Sequence, residues 1–409
     1  MKFGTVATLL AGVVGLVTSP LAAEPLSLED AIRRSLSSSP QGEAAAARIE
    51  VLEAARAAAD TKPSATIDGS VENIGTGGFS LVQVDATYNL RLERGGKRLA
   101  RIALAEGDIG IAQAETLIRR LDLAKAVQEL YVETQAATLV LELAKSRVEI
   151  AERLQVEVQR RVTSARDPLF AGTRARTQLA EAKVDLELAD HALAAAKTRL
   201  SLLTGGDPST FAIVTAGFLE TPLVRVAASE LSSVDLALFE AWRRRAGANY
   251  RLQEAYAKTD PSVYAGPRVF GTGDVGVVAG VSFPLPSRAL NRANVARATA
   301  EQRQVEADLA VERFQRRREV ALAAERVEEA RHEAVAIQAQ VVPGAEQTLR
   351  EVRAGYNRGG FTFLDVSTAQ SALHDARVRF VKALSEYHAA KVELDRLTGQ
   401  FADLVGGNR

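Results

Sequence analysis

Apolar residues recur along this chain with two periods, and the points where the period changes divide it into elements. Ser27 can cap an amphipathic helix from Leu28 to about Ala59, and the second half offers a counterpart from about Ala228 to Lys258, each ended by a proline. After Pro63 the period drops to two: Ala65, Ile67, Gly69 and Val71 alternate with Ser64, Thr66, Asp68, Ser70 and Glu72. The stretch Gly75-Thr76-Gly77-Gly78 predicts a turn, and Val82, Val84, Ala86, Tyr88 and Leu90 then alternate with Gln83, Asp85, Thr87 and Asn89. A second hairpin is predicted around Gly271-Thr272-Gly273, between Val263, Ala265, Pro267 and Val269 and then Val275, Val277, Ala279, Val281 and Phe283. Each hairpin feeds a long helix, roughly Lys97 to Ser164 and Asn291 to Asn357. At about 1.5 Å per residue each runs on the order of 100 Å. Their apolar positions step three then four, as in Val127, Leu130, Thr134, Ala137, Leu141 and Ala144, which is a coiled-coil seam. Shorter helices return after Asp167-Pro168 and after the second long helix, with large residues alternating with alanine, and Thr-Gly stops both.

The chain also resembles itself. Arg199-Leu200-Ser201-Leu202-Leu203-Thr204-Gly205 answers Glu393-Leu394-Asp395-Arg396-Leu397-Thr398-Gly399, and Thr61-Lys62-Pro63-Ser64 answers Thr259-Asp260-Pro261-Ser262. An internal duplication follows, with a first repeat over 24–207, a linker over 208–225, a second repeat over 226–400 and a tail over 401–409. The predicted fold is mainly α with a membrane β-barrel portion: a long α-helical coiled-coil barrel plus four β-strands per protomer. Four strands cannot close, so several chains must contribute strands to remove the edges.

Composition narrows the function. With 47% hydrophobic and 25% charged residues the chain is too apolar for disorder, and its 51 basic residues balance 51 acidic ones, so no field points to nucleic acid. Lys2, the apolar run from about Val6 to Val17 and the small residues before Glu24 read as a secretory signal over 1–23. No cysteine is present, which removes disulfides, thiolate metal sites and an N-terminal lipid anchor. His191, His332, His374 and His388 lack metal-ligand spacing, so no metal site and no cofactor is expected. No nucleophile, base and metal set clusters as an enzyme would need. A secreted coiled-coil scaffold without a pore is the competing class. It has no need of two Gly-tipped hairpins of matching length.

Leu26-Ser27-Leu28-Glu29-Asp30-Ala31-Ile32 with Ser39-Pro40, and Gly355-Tyr356-Asn357-Arg358-Gly359-Gly360-Phe361-Thr362-Phe363-Leu364-Asp365-Val366 with Ala369-Gln370, resemble the TolC family of outer-membrane efflux proteins nearly end to end. Leu92-Glu93-Arg94-Gly95-Gly96-Lys97-Arg98, Pro284-Leu285-Pro286 and Asp167-Pro168-Leu169 look most like its heavy-metal efflux branch. The resemblance implies a homotrimer closed into a twelve-stranded barrel in the outer membrane of a Gram-negative bacterium. Its helical barrel would lie in the periplasm, dock a periplasmic adaptor joined to an inner-membrane RND transporter, and conduct heavy-metal cations, drugs or a secreted protein without catalysis. It also implies a gate at the periplasmic tips. Asp365 matches a tip aspartate, Thr368 stands where a second is found, and Tyr356 matches a gate tyrosine beside Arg358, with Ala171 where its partner carboxylate belongs. Gly359, Gly360, Phe361, Asp167 and Pro168 would contact the adaptor. A helix cap for Asp365 and plain packing for Tyr356 are the alternatives. The basic cluster of Arg94, Lys97 and Arg98, where strand becomes helix, either snorkels to headgroups of outer-membrane lipid or is a solvated face.

Overall fold

A computed structural model describes residues 24–75, 77–224, 233–285 and 287–406. The expected leader over 1–23, the helix start at Ala228 and Pro286 lie outside the described residues. The first half runs β1 (Glu24–Leu26), α1 (Leu28–Ser38), α2 (Pro40–Ala59), β2 (Thr66–Glu72), β3 (Gln83–Arg91), α3 (Lys97–Thr163) and α4 (Leu169–Thr204). Then come β4 (Phe211–Ile213), α5 (Ser233–Ala255), β5 (Ser262–Phe270), β6 (Val275–Ser282), α6 (Arg288–Ala336), α7 (Val342–Asn357), α8 (Phe363–Thr398) and α9 (Ala402–Gly406).

Two helices differ from their periodicity for identifiable reasons. The opening helix breaks at Ser39, whose extended backbone precedes Pro40, and the Ser39 hydroxyl caps α2 at the Gln41 N–H. The second long helix is interrupted at Ile337–Val341 by a π-helical turn just before Pro343, which cannot donate to the α-helical ladder. Both long arms stop with a left-handed residue: Ala165 (φ 56°) after α3 and Gly359 (φ 83°) after α7. Arg166 N–H then reaches the Arg161 carbonyl at 2.8 Å and Gly360 N–H the Gly355 carbonyl at 2.9 Å, so each end caps its own carbonyls the same way.

Four of the strands form an antiparallel sheet in the order β2-β3-β5-β6, with β2 and β6 each paired on one side only. The register puts Ile67 beside Tyr88, Val71 beside Val84, Val84 beside Val269 and Val269 beside Val275, so one face carries apolar residues throughout. That face is bare: Ile67 is 80% and Val277 83% exposed. The other face carries Asp68, Glu72, Gln83, Asp85, Thr87, Asn89 and Arg268. Gly266 sits where a Cβ would lie 1.9 Å from the Ala86 carbonyl oxygen, so β3 and β5 approach as they do only because a glycine stands there. No described helix is long and apolar enough to cross a membrane.

The main core gathers Leu26, Ile32, Leu121, Val127, Tyr131, Leu200, Phe211, Val234 and Val405, from seven elements of both halves. The expected linker and tail contribute to it. β4 pairs in parallel with β1, Phe218 is fully buried, and Val405 of α9 is 1% exposed. Neither 208–225 nor 401–409 is therefore a loose connection over its described part.

Candidate functional site

The ends of the two helical arms meet around Tyr356, which is 1% exposed and packs with Leu154, Val158, Ala171, Ala175, Phe363 and Val366. These residues come from α3, α4, α7 and α8. A phenol in such a cluster needs a partner for its hydroxyl, and Tyr356 donates to Asp167 Oδ2 at 2.6 Å. Arg161 holds the same carboxylate from the other side, with Nε 3.0 Å from Oδ2 and Nη2 3.4 Å from Oδ1. Its guanidinium also lies 4.1 Å from the centroid of the Tyr356 ring and its Nη1 donates to the Tyr356 carbonyl at 3.4 Å. Burial, then the Asp167 carboxylate, pushes the Tyr356 phenol well above the usual tyrosine range. The Asp167 hydrogen bond holds the Arg161 guanidinium firmly charged.

This arrangement corrects two expectations. The carboxylate for Tyr356 is supplied four residues before Ala171, by Asp167 in the turn between α3 and α4, while Ala171 packs beneath the ring. Asp167 itself has a side chain only 10% exposed, turned inward rather than toward a partner. The physical reason is the cap of α3, which reverses the chain through Ala165 and brings Asp167 back over Arg161. Arg161 was not singled out from the sequence; nothing in local spacing sets it apart from Arg160.

The remaining tip residues separate into two groups. Asp365 and Thr362 form a reciprocal cap at the start of α8: Thr362 N–H donates to Asp365 Oδ2 at 2.8 Å, and Asp365 N–H to Thr362 Oγ1 at 3.4 Å. The Thr362 hydroxyl, then its backbone N–H, lowers the Asp365 carboxyl below the usual range. Thr368 donates back to the Leu364 carbonyl at 2.9 Å. Arg358, Gly359, Gly360 and Phe361 are exposed, as are Pro168, Leu169 and Phe170. The Phe361 ring lies on Gly355, where a Cβ would stand 2.0 Å from it.

At the other end of α3 the basic cluster is wired inward. Lys97 has a side chain 5% exposed and donates from Nζ to Asp260 Oδ1 at 2.6 Å and to the Lys258 carbonyl at 2.7 Å. Arg94 N–H and Arg91 reach Asp260 at 2.9 and 3.3 Å. Snorkelling is thus corrected for Lys97: a buried carboxylate demands a cation more strongly than headgroups attract one. Gly95 and Gly96, at φ 79° and 76°, turn the chain sharply into α3 beside it. Arg98 pairs with Asp60 at 2.7 Å. Among the described residues no group of three or more His, Asp or Glu side chains is placed to hold a metal ion.

Residues 31–206 and 245–400 match the family described as Outer membrane efflux protein. The chain is 28% identical over 386 residues to the cobalt-zinc-cadmium resistance protein CzcC of Cupriavidus metallidurans, covering 93% of this chain and 91% of that one. It is also 28% identical over 306 residues to the nickel and cobalt resistance protein CnrC of the same organism, covering 71% and 72%. Among solved structures, CusC, described in terms of transmembrane channel formation, superposes with a TM-score of 0.73 at 17% identity, over 94% of this chain and 95% of that one. With both hairpins and both pairs of long helical arms inside the matched residues, the chain belongs to the outer membrane efflux protein family.

Proposed function

We propose that the chain is one protomer of a homotrimeric exit duct in the outer membrane, passively conducting heavy-metal cations delivered by a periplasmic adaptor and an inner-membrane RND transporter. The observation that carries the reading is the sheet, apolar on one face and polar on the other, with both edges unpaired, and continuous with helical arms of which α3 has 67 residues. Such a sheet has no stable place in water as a single copy. Three copies joined edge to edge remove every free edge, face the apolar side to lipid and enclose a polar lumen. The names of CzcC and CnrC, both metal resistance proteins, support metal cations as cargo over drugs or secreted protein.

The Arg161–Asp167–Tyr356 cluster is the tip latch in this reading, because it ties the α3–α4 arm to the α7–α8 arm at the closed end. Adaptor docking on exposed Leu169, Phe170, Gly359, Gly360 and Phe361 separates the arms and opens the tube. Asp365 and Thr368, on the first two turns of α8, line the same end.

The test is planar-bilayer conductance of the detergent-extracted protein with its oligomer mass recorded in parallel. Discrete steps from a trimer are expected. A protein that needs no detergent and never conducts overturns the duct and leaves the scaffold.

A further inference from the structure

We propose that Asp68 sets the ion selectivity of the barrel, placing on the lumen side, in the middle row of the sheet, a carboxylate that no Lys or Arg approaches. The inference rests on the duct reading above and goes beyond it, to a residue and to the class of ion that it favours.

The strand register sorts the lumen face into rows. Toward the helices, Arg91 pairs with Ser262, and Asn89 lies between Thr66 and Tyr264. Asp68 then pairs with Thr87, and Gly266 with Val278. Above them Ser70, Asp85, Arg268 and Gly276 form a row, and Glu72 pairs with Gln83. Both cations on this face are engaged. Arg268 donates to Asp85 at 2.6 and 2.8 Å and lies 4.0 Å from Glu72, while Arg91 reaches Asp260 at 3.3 Å.

Asp68 has only neutral donors, the Thr66 hydroxyl at 3.1 Å and the Asn89 amide at 3.4 Å. No Lys or Arg pairs with it among the described residues, and its side chain is exposed. Nor does it serve the backbone: it caps no helix, closes no turn, and stands mid-strand, where aspartate is disfavoured. What remains is its charge. In a trimer three such carboxylates stand at one height in a water-filled lumen with low-dielectric walls, which concentrates the field and enriches hydrated cations over anions. Spread around a barrel wall, they attract a passing cation without chelating it.

Reversal potentials in planar bilayers under a KCl gradient test this. Wild-type channels should be cation-selective. Asp68→Asn should lower the cation-to-anion permeability ratio by at least about threefold, with step conductance otherwise retained. Thr87→Lys, which sets a cation directly across from an intact Asp68, should do the same, so the conclusion does not hang on one variant's assembly. Raising the salt to about 1 M, where the screening length is about 3 Å, should erase the difference. Unchanged reversal potentials in both variants, or a ratio that falls only in Asp365→Asn, would overturn the proposal while leaving the duct intact. A wild type that never conducts overturns the duct itself.

Discussion

Tyr356 shows how one side chain can couple packing to charge. Its ring fills a cluster shared by four helices, and its hydroxyl commits Asp167 to the same spot, so neither arm shifts without breaking a charge-assisted hydrogen bond. Tyr356→Phe keeps the ring and loses that bond, at a cost of about 1.5–3 kcal/mol. Asp167→Asn should cost more, because Arg161, only 19% exposed, is left without a counter-charge. Both variants should lower the apparent melting temperature, Asp167→Asn further, and both should raise closed-state leak in single-channel records. A melting loss without added leak would separate the cluster from the gate. Ala165 tests strain instead. An alanine at φ 56° carries roughly 1–2 kcal/mol that glycine avoids, against about 0.5–1 kcal/mol of extra chain entropy, so Ala165→Gly should stabilise by up to about 1 kcal/mol in thermal or denaturant unfolding.

At the scale of elements, the segment between α4 and α5 behaves as a strap over its described part. Tyr131 and Gln135 donate to the Val214 carbonyl, Tyr387 to the Pro222 carbonyl at 2.8 Å, and His388 stacks on Phe218 at 4.7 Å while its Nε2 meets the Phe218 carbonyl at 2.8 Å. Burial holds the imidazoles of His388 and His374 below the usual histidine range. Lys391, Asp395 and Glu220 face His388, and Arg147, Asp185, Asp375 and Arg377 surround His374. A depressed folded value means that the folded chain binds fewer protons than the unfolded one. The stability from these rings is therefore full above the ordinary histidine value and lost as pH falls through the depressed one. The melting temperature should drop as pH falls from about 7.5 to about 5.5, and the His374→Gln/His388→Gln double variant should lose part of that dependence. An equal slope in both would remove the histidines from the account.

Which elements were legible follows from the same physics. Hairpins and arms repeat a period over many residues, so β3, β5, α3 and α8 emerge from the pattern of apolar positions. β1, β4 and α9 are three to five residues long and exist only because each lands on a core assembled from both halves. No local pattern can announce them. The break at Pro40 was visible as a proline, but the apolar period runs through it and outweighed it. The tip was legible as Tyr356 and Asp167 taken separately, but neither their hydrogen bond nor Arg161 was legible, since that triad depends on how Ala165 turns the chain.

For the whole molecule, the sheet makes a claim that one pair of substitutions decides. Val277 and Val278 are neighbours in β6, yet the register sends Val277 to the bare apolar face, opposite Pro267, and Val278 to the polar face, opposite Gly266. A strand's period of two makes adjacent residues opposite in environment. If the apolar face meets lipid, an arginine at 277 puts a cation into hydrocarbon in every protomer, at about 2–4 kcal/mol each near mid-bilayer. An arginine at 278 enters water. Val277→Arg should abolish insertion into planar bilayers and the trimeric mass in detergent, whereas Val278→Arg should insert, assemble and shift selectivity toward anions. A soluble sheet predicts something else. With both faces in water, Val277→Arg would be harmless or would even improve solubility, because it would charge an exposed apolar patch. Identical behaviour of the two variants would mean that the face with Ile67 and Val277 never meets lipid, and the trimeric barrel would fall with it.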